Sequence, residues 1–379
     1  MAEEHFSESH EFLSLPSAEL IVHGHTNVHA PRQITLTSSF NEILAFARQE
    51  NVSDIHLTSQ NPIIFRKFGK LIHLTADLFS TNHIYNLLLE TLPSSVMKTL
   101  RETGDMEYVH AISGYGRFRM IMMKQRGGLD IAIRLITKEI PGFAASGMPT
   151  ACANLIKWTQ GIILITGPSG CGKTTTLATL VEMINKRRNE HVITIEDPIE
   201  IIYEPDFCQI TQRQINAHTL SQGNALRASL REDPDIIVIG EIKDFSTLNL
   251  AITAAETGHL IFGTMNTVNA SQTISRLVDS FPSEEQLIIR NLISESLRGI
   301  VCQQLIPRKD GFGMVAAYEI LLNTPSVANH IRKGTINQIE NAIMTGKALG
   351  MVLMSDSLRK LVADGIISEE EAQEHMIET

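Results

Sequence analysis

Cysteine is scarce and scattered: Cys152, Cys171, Cys208 and Cys302 are the only four in 379 residues. No two form a C-x-x-C pair, so neither a disulfide framework nor a structural zinc site is indicated, and free thiols are expected. Long apolar runs are missing as well. No stretch approaches the roughly 18–20 residues needed to span a bilayer, and Met1-Ala-Glu-Glu-His-Phe6 lacks the basic start and apolar core of a signal peptide. The expected compartment is the cytoplasm. Nor is there an excess of positive charge: 32 Lys and Arg against 42 Asp and Glu leave a formal −10. That balance offers no electrostatic footprint for a phosphate polymer, so nucleic acid is disfavoured as a partner and proteins are favoured. What remains, 43% hydrophobic and 20% charged residues, is a globular composition long enough for two domains with separate cores.

Four regions follow from patterning. Residues 1–38 are a polar leader in which His5, His10, His23, His25 and His29 sit among Ser, Glu and Pro. It is expected to be disordered, because no helical or strand period would bring the imidazoles of Val22–His29 together as metal ligands. Residues 39–137 form a small α+β domain: a helix around Ile43, Leu44 and Ala47, a strand at Ser53–Thr58, a leucine-rich helix at Ile84–Leu92 and a closing hairpin. With Gly127-Gly128 as its turn, the hairpin gathers Phe118, Met120, Met122, Ile131, Ile133 and Leu135 on one face, and Arg117, Arg119, Asp130 and Arg134 on the other. Residues 138–155, rich in Pro and Gly without period, predict a linker able to act as a hinge. In residues 156–379, strand-like runs at Ile162–Ile165, His191–Ile195, Asp235–Ile239 and Leu260–Thr264 alternate with helical segments, the signature of an α/β fold with a parallel sheet. Ser246 and the Ser283-x-x-Gln286 pair read as helix N-caps, and the chain turns helical from about 325, with Ser368-x-x-Glu371 opening the last helix.

The most specific signal is Gly167-Pro-Ser-Gly-Cys-Gly-Lys-Thr174, which fits G-x-x-x-x-G-K-[ST] between a predicted buried strand and a predicted helix. Glycines let such a loop curl until its N–H groups face phosphate oxygens. Gly167, Ser169, Gly170, Cys171, Gly172, Lys173, Thr174 and Thr175 are the candidate nucleotide contacts. Lys173 supplies a point charge for the β- and γ-phosphates, and Thr174 a hydroxyl for Mg²⁺. ATP and Mg²⁺ are the expected ligands.

Acids are placed to complete the chemistry. Asp235-Ile-Ile-Val-Ile-Gly-Glu241 is an apolar strand ending in a carboxylate. Gly240 stands where many P-loop enzymes carry the magnesium-linked aspartate, which leaves Glu241 to orient or deprotonate the attacking water. Glu196-Asp197-Pro-Ile-Glu200 ends another predicted strand, so Asp197 is the candidate outer-sphere magnesium ligand and Glu200 a second group to polarise water. Arg119 and Arg134 lie in the domain without the phosphate loop and would reach nucleotide across a domain or subunit boundary, as an arginine finger does. His259 and Asn266 flank the strand Leu260–Thr264 and are candidates for the γ-phosphate or a neighbouring chain.

Together, Gly167–Thr174, Ile195–Glu200, Ala225–Asp235, Gly240–Asp244 and Thr257–Thr264 resemble the secretion ATPase superfamily, and within it the PilT-type ATPases of pilus retraction and twitching motility. The resemblance covers the chain from about Asn41. It implies a PAS-like N-terminal domain followed by a RecA-like ATPase domain, and a homohexameric ring at the cytoplasmic face of the inner membrane. It further implies a PilC-like platform protein as partner, with a paralogous retraction ATPase as another. By the same likeness Glu241 is the Walker B glutamate, Glu200 belongs to the aspartate box, His259 to the histidine box, and Arg119 and Arg134 complete the site. Asn266 replaces a histidine of that pattern, Lys243 an arginine, and Ala328 stands where the C-terminal retraction element carries its arginine. These departures keep a weakly active accessory subunit as an alternative. A pilus assembly, type II secretion or conjugation ATPase is another, although the short N-terminal region without a tetracysteine motif favours retraction.

Overall fold

The computed structural model describes residues 33–75 and 77–377. The leader histidines therefore lie outside the described residues. Residues 33–38 do not continue the leader, because Ile34 is buried in the N-terminal core and the Ser38 hydroxyl accepts from Thr35 N at 3.1 Å. The first domain thus begins before the expected boundary at 39, anchored by one apolar side chain that a polar context obscured.

Helix α1 (Phe40–Gln49) opens on a capping box in which Ser39 and Glu42 each accept from the other's backbone N–H. Phe40, Ile43, Leu44 and Ala47 recur at three- and four-residue steps and are fully buried. They pack on a six-stranded antiparallel sheet of β1 (Asp54–Thr58), β2 (Ile64–Lys67), β3 (Lys70–His73), β4 (Asp105–Ile112), β5 (Gly116–Gln125) and β6 (Gly128–Leu135), ordered β3-β2-β1-β6-β5-β4. Helices α2 (Thr81–Thr91) and α3 (Ser94–Thr103) join the same core. The hairpin turn is Arg126-Gly127, since Gln125 pairs with Gly128, one residue earlier than expected. Side-chain alternation survives the shift because parity is unchanged: Phe118, Met120, Met122, Ile131 and Ile133 all face inward and are buried.

The segment 138–155 is not a free linker. Pro141 O accepts from the Thr179 hydroxyl at 3.2 Å, Ser146 O accepts from the Tyr318 hydroxyl at 3.2 Å, and α4 (Thr150–Leu155) buries Ala151, Cys152 and Leu155 against the second core. The Pro and Gly of residues 141–149 masked that short helical spacing.

A seven-stranded sheet follows, ordered β13-β12-β7-β11-β10-β8-β9: β7 (Gly161–Thr166), β8 (His191–Glu196), β9 (Gln209–Gln214), β10 (Ile236–Ile239), β11 (Leu260–Met265), β12 (Leu297–Pro307) and β13 (Met314–Leu322). All adjacent pairs are parallel except β12–β13. Every residue of β7, β10 and β11 is buried, as expected of strands covered on both faces, here by α5 (Lys173–Asn185), α6 (Gln222–Ser229), α7 (Phe245–Glu256), α8 (Ala270–Asp279) and α9 (Gln286–Ser296). Asp244, not Ser246, caps α7, accepting from Thr247 N at 2.8 Å, and α9 has Glu285 at its N-cap, without the Ser283 box. The C-terminal region is helical from Pro325, with α10 (Pro325–Lys333), α11 (Ile339–Thr345), α12 (Met354–Ala363) and α13 (Glu369–Ile377), and Ser368 accepts from Glu371 N at 3.2 Å. Among the described residues no helix is long and apolar enough to cross a membrane.

Candidate active site

Parallel strands β7, β8, β10 and β11 all end at one edge of the sheet, and the loops that leave them share a cleft of about 780 Å³ with residues of the N-terminal domain. The phosphate loop joins β7 to α5. Gly167 has φ 145° and Gly172 has φ 92°; a Cβ on Gly167 would come within 2.2 Å of the Gln303 carbonyl oxygen, so only glycine fits there. Gly172 caps α5 with no side chain to satisfy the first helical N–H groups. Those donors, with the Lys173 ammonium, form a cradle whose chemistry fits a phosphate chain. Lys173 itself folds back to donate to the carbonyls of Gly167 (2.7 Å) and Pro168 (2.9 Å). Burial pulls its pKa below the usual lysine value, Cys171 and Glu241 oppose that shift, and Arg134 adds to it.

Ser169, Gly170 and Thr174 are exposed at the loop, Thr175 approaches Thr137, two residues past the end of β6 (3.5 Å between hydroxyls), and Cys171 is buried. Cys171 therefore offers its backbone, and burial raises its thiol pKa. Gln303, inside the apolar run Ile300–Ile306, was not singled out in the sequence; it staples the loop, donating to Cys171 O at 2.7 Å and accepting from the Thr176 hydroxyl. An amide at a buried strand position was its only signal.

Glu241 follows β10 and reaches the cleft. Its carboxylate accepts from the Asn266 amide and its carbonyl from Gln222 Nε2 at 2.8 Å. Lys243 Nζ lies 3.8 Å from Glu241 Oε2 and 3.5 Å from Asp197 Oδ2. Glu196, behind them, accepts from Thr194 and Gln212, and burial raises its pKa. No group of three or more His, Cys, Asp or Glu among the described residues is arranged to hold a metal by itself. Thr174, Asp197 and Glu241 line the same cleft, and a hydroxyl with two carboxylates is a set of hard oxygen donors whose chemistry fits Mg²⁺.

The N-terminal domain contributes its arginines to the same cleft. Arg119 pairs with Glu107 and donates to Glu200 Oε1 at 3.0 Å; Arg134 pairs with Asp54 at 2.9 Å and is half exposed. Arg117, on their face of the hairpin but given no separate role, donates to Glu200 O at 2.7 Å, and its burial lowers its pKa. Glu200 is thus clasped by two arginines of the other domain. His259 is not brought here. It precedes β11, at the opposite end of the strand, where its carbonyl accepts from Gly161 N and its Nδ1 lies 3.1 Å from Ala254 O. Within one chain the full length of the sheet separates it from the phosphate loop.

The family described as Type II/IV secretion system protein matches residues 30–376. The chain belongs to that family. It is 39% identical over 333 residues to the type IV pilus retraction ATPase PilT of Pseudomonas aeruginosa, covering 88% of this chain and 96% of that protein. It is 37% identical over 310 residues to a twitching motility protein of Neisseria gonorrhoeae, covering 82% and 83%. The crystal structure of the pilus retraction motor PilT with bound ADP has the same fold, with a TM-score of 0.78 and 37% identity over 89% of this chain and 97% of that one. The resemblance read from the motifs is borne out, as is an α/β architecture in which an N-terminal domain precedes the ATPase domain. Another relative, the type IV pilus ATPase PilU of P. aeruginosa, is 32% identical over 336 residues, covering 89% of this chain and 88% of that protein.

Proposed function

We propose that this chain hydrolyses ATP within a ring of six like chains, at the cytoplasmic face of the inner membrane, and that the turnover powers pilus retraction against a PilC-like platform protein. The observation that carries the reading is the convergence of the uncapped α5 N-terminus, Glu241 and two arginines of the other domain on one cleft, in a chain whose relatives are pilus ATPases.

In this reading the loop N–H groups and Lys173 hold the β- and γ-phosphates, Lys173 leaving its loop carbonyls to do so. Thr174 and Asp197 would hold Mg²⁺ together with phosphate oxygens. When bound, the ion neutralises phosphate charge. Glu241, oriented by Asn266, accepts a proton from the attacking water as its oxygen bonds to the γ-phosphorus and the bond to the ADP oxygen breaks. Arg134, of this chain or a neighbour, offsets the charge that develops. Glu200 and Arg119 couple the N-terminal domain to this chemistry, so that turnover moves one domain against the other. His259, far from its own cleft, has a role only if a neighbouring chain meets that end of the sheet.

ATP turnover measured alongside native mass tests chemistry and assembly together. Full-rate hydrolysis by a strict monomer overturns the ring, and loss of surface pili on gene deletion, in place of immobile pili that accumulate, would assign assembly. A second reading, a weakly active partner of a paralogous retraction ATPase, is favoured by Asn266, whose amide cannot carry a proton or a charge where the family has histidine. It requires almost no turnover by the chain alone and stimulation on mixing with the paralogue.

A further inference from the structure

Two carboxylates meet at the ligand edge of the sheet with no strand between them. β8 and β10 are neighbours and parallel, with Ile195 opposite Ile239 as the last register pair. Two residues further on, Asp197 and Glu241 leave adjacent strand ends side by side. Like charges so placed repel each other unless a cation lies between them. Lys243 is that cation: its ammonium is 3.5 Å from Asp197 and 3.8 Å from Glu241, and all three side chains line the cleft beside Lys173 and Thr174.

We infer that Lys243 is a positioning residue, a built-in counter-cation that holds Asp197 and Glu241 together when Mg²⁺ is absent and yields Asp197 to the ion when the metal–nucleotide complex enters. The inference rests on the nucleotide reading of the cleft. Its physical consequence is a coupling between metal and nucleotide that the lysine damps. With Lys243 present, a magnesium-free nucleotide meets partly neutralised acids; without it, two bare carboxylates face the phosphates, and affinity then depends on the metal. Because the lysine is half exposed and its two ion pairs are partly open to solvent, its replacement is not expected to disturb the fold.

The test is calorimetric titration of ADP into the full-length protein, once with excess chelator and once with saturating Mg²⁺, for wild type, Lys243→Gln and Lys243→Arg. Lys243→Gln should weaken magnesium-free binding about tenfold while changing magnesium-loaded binding by no more than about twofold, and Lys243→Arg, which keeps the charge, should follow wild type in both. Equal losses in the two conditions, or no loss in either, overturn the inference while leaving the nucleotide site intact. If wild type binds ADP in neither condition, the reading of the cleft fails and the inference falls with it.

Discussion

Arg119 and Arg134 stand directly opposite each other across the β5–β6 pair, two like charges at one register position. Such a pairing is unfavourable by itself. It is relieved by different partners: Arg119 turns to Glu107 and, across the domain boundary, to Glu200, whereas Arg134 turns to Asp54 in its own domain. One arginine is thus committed to holding the two domains together, and the other, half exposed in the cleft and paired within its own domain, would have to leave Asp54 to meet charge that develops there.

The two should therefore fail differently. Arg119→Ala should lower the thermal midpoint by the equivalent of about 1 kcal/mol, since the pair is only partly buried and solvent screens it. Arg134→Ala, which leaves the mostly buried Asp54 carboxylate without its cation, should lower the midpoint by no more than a similar amount but cut kcat more than it raises KM. Equal effects of Arg134→Ala on kcat and KM would argue against a finger.

Glu241→Gln keeps the size of the side chain and removes its basicity. ADP affinity should persist, while turnover should drop at least about a hundredfold, a typical loss for a general base. Near-normal turnover would assign the proton to another group.

Gly167→Ala should not be tolerated. The added carbon would lie 2.2 Å from Gln303 O and 2.6 Å from Cys171 Sγ, against backbone that cannot yield. The expectation is destabilisation of about 1–3 kcal/mol and loss of ADP binding by calorimetry. Gly170→Ala, with positive φ but nothing within 4 Å of the new atom, should cost less.

Glu319 provides a pH test away from the cleft. It is buried, accepts from Ala270 N at 2.8 Å, and burial holds its pKa above the ordinary 4.5. An acid whose pKa is raised on folding contributes stability that is complete below its unfolded pKa and is lost as pH rises through the folded value. The melting difference between Glu319→Gln and wild type should therefore shift in favour of the variant as pH rises from 4.5 through that raised value. A difference that stays flat with pH would place no titration at Glu319.

How much of this was legible depended on whether the informative residues are neighbours in the chain. The phosphate loop was, because its glycines, lysine and threonine are contiguous and the flanking strand and helix have their own periods. The arginine face of the β5–β6 hairpin was, because alternation survives an error of one residue in the turn. Gln303, Arg117 and the Lys243 bridge were not, because each acts on a partner from another element: Gln303 on a loop more than a hundred residues earlier, Arg117 on a carbonyl of the other domain, Lys243 on the end of a neighbouring strand. His259 was drawn toward the cleft by motif likeness, and a strand's direction took it away.

The amino-acid sequence by itself determined the strand–loop–helix that cradles phosphate, the acid at the end of β10, the inward and outward faces of the hairpin and the family to which the chain belongs. These are local matters of period, backbone freedom and spacing. Only the tertiary structure decided which acids become neighbours, which arginine bridges the domains and which pairs within its own, and which end of β11 meets the cleft. Those follow from strand order and register, and they are set by the packing of two cores that no short stretch of sequence contains.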